Sequence, residues 1–254
     1  MLDTSVAATW IDRWDRQQET YLTGREERFQ VVADVVEAAA DRPDPLVVDL
    51  GCGPGSLSAR VLDRLPGAEV VGVDVDPLLL GLAAAAYGHR PGLRFVDADL
   101  RRPGWTEALG LTRPVDAVVS TTALHWLTEH ELAATFRTVA GLLRPGGVFV
   151  DGDHFYDGPD TPRLAAIDRV VGEAVARRAG VVPDDTAWRS WWEDAEADPH
   201  LAELVASRAG RSLGHGENAV DFTGHVRLLG DAGFAEAGTV WQHGPDRVLV
   251  AVRA

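Results

Sequence analysis

The chain has 254 residues, of which 46% are hydrophobic and 25% are charged, which is long enough for a large core and typical of a soluble globular protein. Its net charge of −15 argues against a nucleic-acid partner, because no basic stripe is present to release counterions from phosphates. No stretch approaches the roughly 18 apolar residues that cross a bilayer, and residues 1–5 lack the regions of a signal peptide. The single cysteine, Cys52, excludes an internal disulfide. These features predict a cytoplasmic protein without a membrane partner.

Two helices are predicted ahead of the first strand, over residues 8–18 and 26–40. In the second helix Phe29, Val32, either Val35 or Val36, and Ala39 recur at helical spacing, which predicts one buried face.

The first predicted strand, Leu46 to Leu50, is followed by Gly51, Gly53 and Gly55, and a helix is predicted from Ser56. A buried strand, a glycine turn and a helix start, in this order, form nucleotide-type sites at the carboxyl edge of a parallel sheet. The spacing differs from the Gly-x-Gly-x-x-Gly of dinucleotide-binding domains, whose third glycine lies within the helix.

Polar residues follow each of the next three predicted strands. These strands cover residues 68–73, 93–96 and 115–119, and they lead into Asp74, into Asp97 and Asp99, and into Ser120. Asp74 comes 25 residues after Asp49, which fits one strand-helix-strand unit and places both carboxylates at the same edge of the sheet.

Three motifs together resemble those of the class I S-adenosylmethionine (SAM)-dependent methyltransferases. They are Asp-x-Gly-x-Gly-x-Gly from Asp49 to Gly55, Asp-x-Val-x-Ser…Leu-His-Trp-Leu from Asp116 to Leu127, and Leu-Arg-Pro-Gly-Gly before the fifth strand. The second motif is similar to that of a subgroup that includes trans-aconitate methyltransferases. The resemblance covers about residues 46–150 and implies an α/β fold with a Rossmann-like, seven-stranded, mostly parallel sheet. It further implies a closing antiparallel hairpin, N-terminal helices and an inserted helical cap.

The resemblance implies SAM as the cofactor, S-adenosylhomocysteine as the product, and a set of residues that contact them. Asp74 would accept hydrogen bonds from both ribose hydroxyls, and Asp99 would accept one from the adenine amino group, beside the amide of Leu100. The other implied contacts are Asp49, Gly51, Cys52, Gly53, Val75 and Ser120. Two alternatives remain open: Asp74 could cap the helix that starts near Pro77, and Asp99 could belong to an ordinary acidic loop.

His125 is the predicted catalytic residue, either as a general base or as a contact of the acceptor. Alternatively, it holds the loop between Ser120 and Trp126 through backbone hydrogen bonds. Tyr21, Trp126 and His154 are the predicted acceptor contacts, although Tyr21, like Trp10, could simply pack beneath the sheet rim.

No metal site is predicted. The candidate ligands near the insertion match no recognisable ligand spacing; they are His154, His215, His225, Asp153 and Glu217.

A helical insertion is predicted over residues 154–218, as a cap over the acceptor. It contains helices from Pro162 to about residue 178 and over residues 199–208, with a third helix between them. That third helix carries Trp188, Trp191 and Trp192 on one face. Their large apolar surface favours a role in the core over a cage for the acceptor.

The chain is predicted to form a single domain. Residues 1–42 form its N-terminal helices, 43–153 its SAM-binding core and 154–218 its cap. The last part, 219–254, consists of a helix over 220–233 and a closing hairpin with strands over 236–242 and 248–252.

The sequence therefore predicts a SAM-dependent methyltransferase that acts by in-line displacement on oxygen or carbon of a small-molecule acceptor, as a monomer or homodimer. The alternative is a protein of the same fold that binds SAM or S-adenosylhomocysteine in a regulatory or non-methyl-transfer role. An NAD-type oxidoreductase is disfavoured by the glycine spacing and the closing hairpin, and the lysine-free chain has no Tyr-x-x-x-Lys pair.

Overall fold

The computed structural model describes residues 2–181, 185–211, 213 and 219–254. Its strands are β1 (Leu46–Leu50), β2 (Glu69–Asp74), β3 (Leu93–Asp97), β4 (Val115–Thr121), β5 (Leu143–His154), β6 (Phe234–His243) and β7 (Asp246–Arg253). Its α-helices in the described ranges are α1 (Thr4–Glu19), α2 (Arg25–Ala40), α3 (Ser56–Arg64), α4 (Pro77–Tyr87), α5 (Glu129–Leu142), α6 (Pro162–Arg178), α7 (Asp185–Ala197), α8 (Ala202–Ala209) and α9 (Phe222–Ala232).

The strands form one sheet in the order β3-β2-β1-β4-β5-β7-β6. Strands β1 to β5 pair in parallel, and β7 pairs antiparallel with both β5 and β6. This topology confirms the predicted fold class, including the closing hairpin. All residues of β1 are buried, and the strand order reverses between β1 and β4. The carboxyl ends of β1, β2 and β4 therefore open a crevice at a topological switch point.

Hydrophobic clusters cover both faces of the sheet. On one face, Phe29 of α2 and Leu57 of α3 pack against Val150. On the other face, Phe136 of α5 and Leu229 of α9 pack in the same cluster as residues of the sheet. A third cluster joins α1, α4 and α7 beside the sheet. None of the helices in the described ranges has both the length and the apolar character to span a bilayer.

The helical segment after β5 divides between two places. α6 packs near β6 and the turn into β7, whereas α7 contacts α1 and α8 contacts α4. The predicted helix over residues 199–208 starts instead with a 3-10 turn, Pro199–Leu201, because the Asp198 carboxylate accepts the His200 amide there.

The fifth strand is longer than predicted. It begins at Leu143, so the predicted Pro-Gly-Gly turn lies within the strand, where Gly146 has a φ of +72° and the register with β4 shifts. It ends at His154, which the sequence assigns to the cap. The cause is the antiparallel pairing with β7, which continues to His154 opposite Asp246.

Asp116, near the start of β4, ties the beginnings of three strands together. Its carboxylate accepts hydrogen bonds from the Leu46 amide, Arg113 and Arg144 Nε, each at 2.8 Å. Burial alone would raise the pKa of Asp116, but these donors outweigh it and lower the pKa. The carboxylate is therefore ionised and fully engaged.

Replacing Asp116 with alanine should lower the free energy of unfolding by about 3 kcal/mol, because a buried amide and two guanidinium groups lose their acceptor. Urea denaturation at neutral pH measures this. The matched control is Asp63→Ala, whose side chain is 66% exposed and pairs with Arg90, so its loss should have little effect. Equal losses from the two variants would contradict the role given to Asp116.

Candidate functional site

Two adjoining cavities, of about 200 Å³ and 500 Å³, occupy the crevice at the carboxyl ends of β1, β2 and β4. The first cavity is lined by Asp74, Val75, Asp99 and Leu100. The second is lined by Tyr21, Cys52, His125 and His154. Both are lined by Gly51, Gly53 and Trp126. The structure therefore brings eleven of the thirteen predicted site residues to these walls, and leaves Asp49 and Ser120 outside them.

The glycine loop after β1 forms the wall between the cavities. Gly51, Gly53 and Gly55 have φ angles of +64°, +53° and +84°, which favour glycine. A Cβ on Gly51 would lie 2.3 Å from the Cβ of Ala123, so this loop touches the loop that carries His125. A Cβ on Gly53 would meet only Leu79, at 4.0 Å, which leaves its backbone open to a ligand.

Asp74 organises this loop. Its carboxylate accepts the amides of Gly53, Val75 and Asp76 at 2.8, 2.7 and 2.9 Å. These amides use three of about four acceptor positions, which leaves about one for a ribose hydroxyl rather than the two expected from sequence. Burial raises the pKa of Asp74 despite the amides.

The alternative that Asp74 caps α4 is wrong. The cap is Asp76, whose carboxylate accepts the amide of Leu78 at 2.9 Å. Asp74 lies before the cap and lines the first cavity.

Asp99 lines the first cavity, whereas Asp97 pairs with Arg211 outside it. Arg101 holds Asp99 through Nε at 2.7 Å and through a terminal nitrogen at 3.0 Å. Burial would raise the pKa of Asp99, but Arg101 outweighs it and lowers the pKa. Asp99 is therefore an ionised acceptor, suited to a donor such as an amino group.

Asp49 and Ser120 are the two predicted cofactor contacts whose side chains do not face the crevice. Asp49 is fully buried and accepts the Ser58 hydroxyl at 2.6 Å, and burial raises its pKa to about 7. Ser120 donates to the carbonyl of Leu50 at 3.0 Å. Both side chains support the glycine loop from within, because the strand pleat turns them away from the cavities.

Cys52 lies within the glycine loop, between Gly51 and Gly53. Its side chain is buried and lines the second cavity. Burial, then the charges of Asp74 and Asp49, raise the pKa of the thiol, so a reactive thiolate is disfavoured.

His125 lies on the short 3-10 turn Leu124–Trp126, after β4. Its Nδ1 is 2.8 Å from Oδ2 of Asp153, a residue of β5 that is 4% exposed. The contact is with a carboxylate, so the alternative that this ring holds the loop through backbone bonds is not what the structure shows. With Nδ1–H donated to Asp153, Nε2 carries the lone pair that can take a proton.

The electrostatics of this pair favour the protonated form of His125. Burial alone would lower the pKa of His125, but the hydrogen bond and charge of Asp153 outweigh it and raise the pKa. Burial would likewise raise the pKa of Asp153, and His125 outweighs it and lowers the pKa. The sequence offers Asp153 only as a candidate ligand of a metal site that is not predicted, and it does not reveal the pairing with His125.

The tryptophans divide between core and crevice. Trp10 is buried and donates to Asp198 at 2.8 Å, which supports its packing role. Trp191 is also buried, but Trp192 lines the first cavity and Trp188, 41% exposed, lines both. The prediction that all three tryptophans of α7 belong to the core is therefore wrong, because α1 covers only part of that helix face.

Trp14, on α1, lines both cavities and was missed from sequence. The available signal was its position one helical turn after Trp10.

Helices of the cap border both cavities. Trp192 of α7 and Arg208 of α8 line the first cavity, beside Asp76 and Asp99. Arg208 Nε donates to Asp76 at 2.8 Å, and its guanidinium lies 4.2 Å from the centre of the Trp192 ring. Trp188 of α7 also lines the second cavity, which contains His125.

Three of the five candidate metal ligands, His154, His225 and Asp153, lie within the described residues. His215 and Glu217 lie outside the described residues. Among the residues that the structure describes, no group of His, Cys, Asp or Glu side chains could hold a metal ion.

Comparison with known proteins agrees with this geometry. Residues 47–147 match the family described as a methyltransferase domain. The trans-aconitate 2-methyltransferase of Azoarcus sp. (strain BH72) is 35% identical over 195 residues, which cover 75% of this chain and 70% of that protein. The protein of that name from Methylobacterium nodulans is 31% identical over 182 residues, covering 71% and 65%.

A solved structure shares the fold. The magnesium protoporphyrin IX methyltransferase of Synechocystis PCC 6803, with bound S-adenosylhomocysteine, is 22% identical and aligns with a TM-score of 0.55. The alignment covers 98% of this chain and 95% of that one.

Asp74→Ala should weaken binding of S-adenosylhomocysteine by about 10- to 150-fold, the value of one hydrogen bond to a charged group. The variant loses both the acceptor for a ribose hydroxyl and the bond that fixes the Gly53 amide. Calorimetric titration measures the affinity, and a thermal melt checks folding. Asp97→Ala is the matched control, because Asp97 is the register partner of Asp74 on β3 but lies outside the cavity walls. Unchanged affinity in Asp74→Ala would contradict the assignment.

Proposed function

Because the chain belongs to the class I SAM-dependent methyltransferases, in the subgroup similar to trans-aconitate methyltransferases, we propose that His125 is the general base for methylation of a proton-bearing oxygen or carbon. Methyl transfer from SAM to a small molecule follows from the family, and the proposal concerns the acceptor and the residues. The observation that carries it is the 2.8 Å contact between His125 Nδ1 and Asp153 in the wall of the second cavity.

The residues of the first cavity fit the adenosine part of SAM. Asp74 retains an acceptor position for a ribose hydroxyl, and ionised Asp99 suits the adenine amino group. Val75 and Leu100 line the same cavity. Gly53, with open space where a Cβ would lie, allows close approach of the backbone. When bound, SAM supplies a methyl group on a positively charged sulfur, with a neutral thioether as the leaving group.

The remaining residues act on the acceptor. We propose that His125 Nε2 takes the acceptor proton, while Asp153 holds Nδ1–H and stabilises the imidazolium. Tyr21, Trp126 and His154 line the same cavity, which supports their role in orienting the acceptor and excluding water.

Alignment of the acceptor with the methyl group contributes more to the rate than the general base does. Alignment of acceptor and methyl group can supply about 7–11 kcal/mol, whereas a general base contributes about 10²- to 10⁴-fold, or roughly 3–5 kcal/mol. Loss of His125 should therefore slow the reaction without abolishing it.

A carboxylate acceptor is the second candidate, because the two relatives are named trans-aconitate 2-methyltransferases. A carboxylate needs no base. In that case the raised pKa of His125 would favour its protonated form, which donates a hydrogen bond from Nε2–H to the acceptor carboxylate. The two candidates predict opposite dependence on pH.

We also propose that residues 1–254 act as one catalytic domain, as a monomer or homodimer in the cytoplasm. The crevice is lined by residues of α1, of the sheet edge and of α7 and α8, which supports a single catalytic domain. The single cysteine is in keeping with a reducing compartment.

With a proton-bearing acceptor, kcat/KM should rise with pH through the pKa of free His125, which Asp153 holds above the ordinary value of 6.5. In Asp153→Asn the raising interactions are lost and burial dominates, so the inflection should move to lower pH. His130→Gln, on the exposed side of α5, is the control and should leave the profile unchanged. A rate that falls with rising pH would favour the carboxylate candidate instead.

The reaction itself is tested by mass spectrometry. Purified protein, SAM and a panel of phenols, enols and carboxylic acids should yield S-adenosylhomocysteine together with a product heavier by one methyl group. In His125→Gln the rate with the active acceptor should fall by about 100-fold or more, with unchanged affinity for S-adenosylhomocysteine. Activity on carboxylic acids alone, undiminished in His125→Gln, would overturn the proposal.

A further inference from the structure

A third cavity, of about 300 Å³, adjoins the second one and shares the side chains of His125 and His154 with it. Its other walls are the end of β5, residues 155–159, and residues 219–221 ahead of α9 with His225 of that helix. Its acidic side chains are those of Asp151, Asp153, Asp157 and Asp221. Among the described residues that line it, none is arginine or lysine.

Three of these four acids already have partners. Asp153 pairs with His125, and Asp157 pairs with Arg247 at 3.1 Å. Asp221 caps α9 by accepting the Gly224 amide at 2.7 Å. Their charges are therefore engaged by the protein.

Asp151 differs from them. It is 1% exposed, and its Oδ1 has no hydrogen-bond partner among the described residues. Buried polar atoms are rarely left in this state unless a ligand, ion or water completes them.

Arg28 lies on the opposite face of the sheet from Asp151. Alternation along β5 puts Asp151 and Asp153 on one face of the sheet and Gly152 on the other. On that other face Arg28 passes over Gly152, where a Cβ would lie 3.0 Å from its Cδ, and it pairs with Asp246 at 2.7 Å. The charge of Arg28 therefore lowers the pKa of Asp151 only from a distance, without a hydrogen bond. Burial, followed by the charge of Asp153, outweighs it and raises the pKa of Asp151.

We propose that the third cavity binds a protonated amine of the acceptor molecule, which donates hydrogen bonds to Asp151 while the reacting group of the same molecule lies at His125. This inference rests on the proposed function, in which the acceptor occupies the second cavity. An ammonium group carries three donors and no acceptor, which complements the unpartnered Oδ1 of Asp151.

The same walls disfavour a polycarboxylate acceptor. A second carboxylate in the third cavity would lie beside the unpartnered Asp151, and no arginine or lysine among the described lining residues would offset the two acids; like charges at short range repel. The acceptor of this chain therefore differs in charge from the molecule for which the curated relatives are named.

The test uses the full chain loaded with S-adenosylhomocysteine and three phenols that differ in one group. Tyramine carries a protonated amine, 4-ethylphenol is neutral, and 4-hydroxyphenylacetate carries a carboxylate. Calorimetry or saturation-transfer NMR measures their affinities. Tyramine should bind at least about tenfold more tightly than 4-ethylphenol, which corresponds to a hydrogen bond to a charged group, and 4-hydroxyphenylacetate should bind most weakly.

Asp151→Asn should remove the preference for tyramine and leave the affinity for 4-ethylphenol unchanged. Asp157→Asn is the matched control, since it removes the same charge from the same cavity but from a carboxylate that Arg247 already engages; it should keep the preference. Thermal melts check that both variants fold. If Asp151→Asn does not fold, the wild-type order of the three phenols decides.

Three results would overturn the amine site: equal or tighter binding of the carboxylate, an unchanged tyramine preference in Asp151→Asn, or no tyramine binding at millimolar concentration. A failure of the proposed function is seen separately, in the formation of S-adenosylhomocysteine. Tyramine preference without turnover supports the amine site and contradicts the role of His125, whereas turnover without that preference contradicts the amine site alone.

Discussion

The close approach of Gly51 to Ala123 is the constraint on which the site depends. Only glycine at residue 51, with a φ of +64° and no Cβ, lets the loop after β1 touch the loop after β4. The first loop carries the open backbone at Gly53, and the second carries His125. Since alignment supplies the largest part of catalysis in methyl transfer, this contact sets the relation between the cofactor half and the acceptor half of the crevice. Asp74 strengthens it by fixing the Gly53 amide.

The buried acids illustrate how donors decide the charge of a carboxyl group. Arginines and amides lower the pKa of Asp116, and His125 does so for Asp153, although burial opposes both shifts. Asp49 has only the Ser58 hydroxyl, and Asp151 has no direct donor in the described part of the chain, so burial raises their pKa values. All four groups lie on strands of one sheet, so the opposite directions of their pKa shifts come from their hydrogen-bond donors and not from the sheet.

Sequence alone predicts the sheet and identifies most of the residues that line the crevice around Asp74, because the signals there are local. The glycines after β1 and the acid after β2 are each attached to their own strand end. Asp153 was missed as the partner of His125 because that contact depends on how β4 and β5 align, with Thr121 opposite Gly152, and no motif spacing specifies this. A signal existed in Asp-Gly-Asp at residues 151–153, directly after an apolar run. The assignment of all three α7 tryptophans to the core fails for a related reason: helical spacing identifies a face but not what packs against it.

The arrangement also explains why family membership carries the cofactor chemistry further than the acceptor. The residues proposed to bind the cofactor are strand ends and backbone amides, whereas those proposed to bind the acceptor are individual side chains such as His125 and Asp151. If burial keeps a proton on Asp151 in the free protein, a bound ammonium takes the place of that proton beside a carboxylate. The net charge near Asp153 then stays the same, and so does the field that raises the pKa of His125. An acceptor with a protonated amine can therefore enter the third cavity without disturbing the titration of the base, which a second carboxylate could not do.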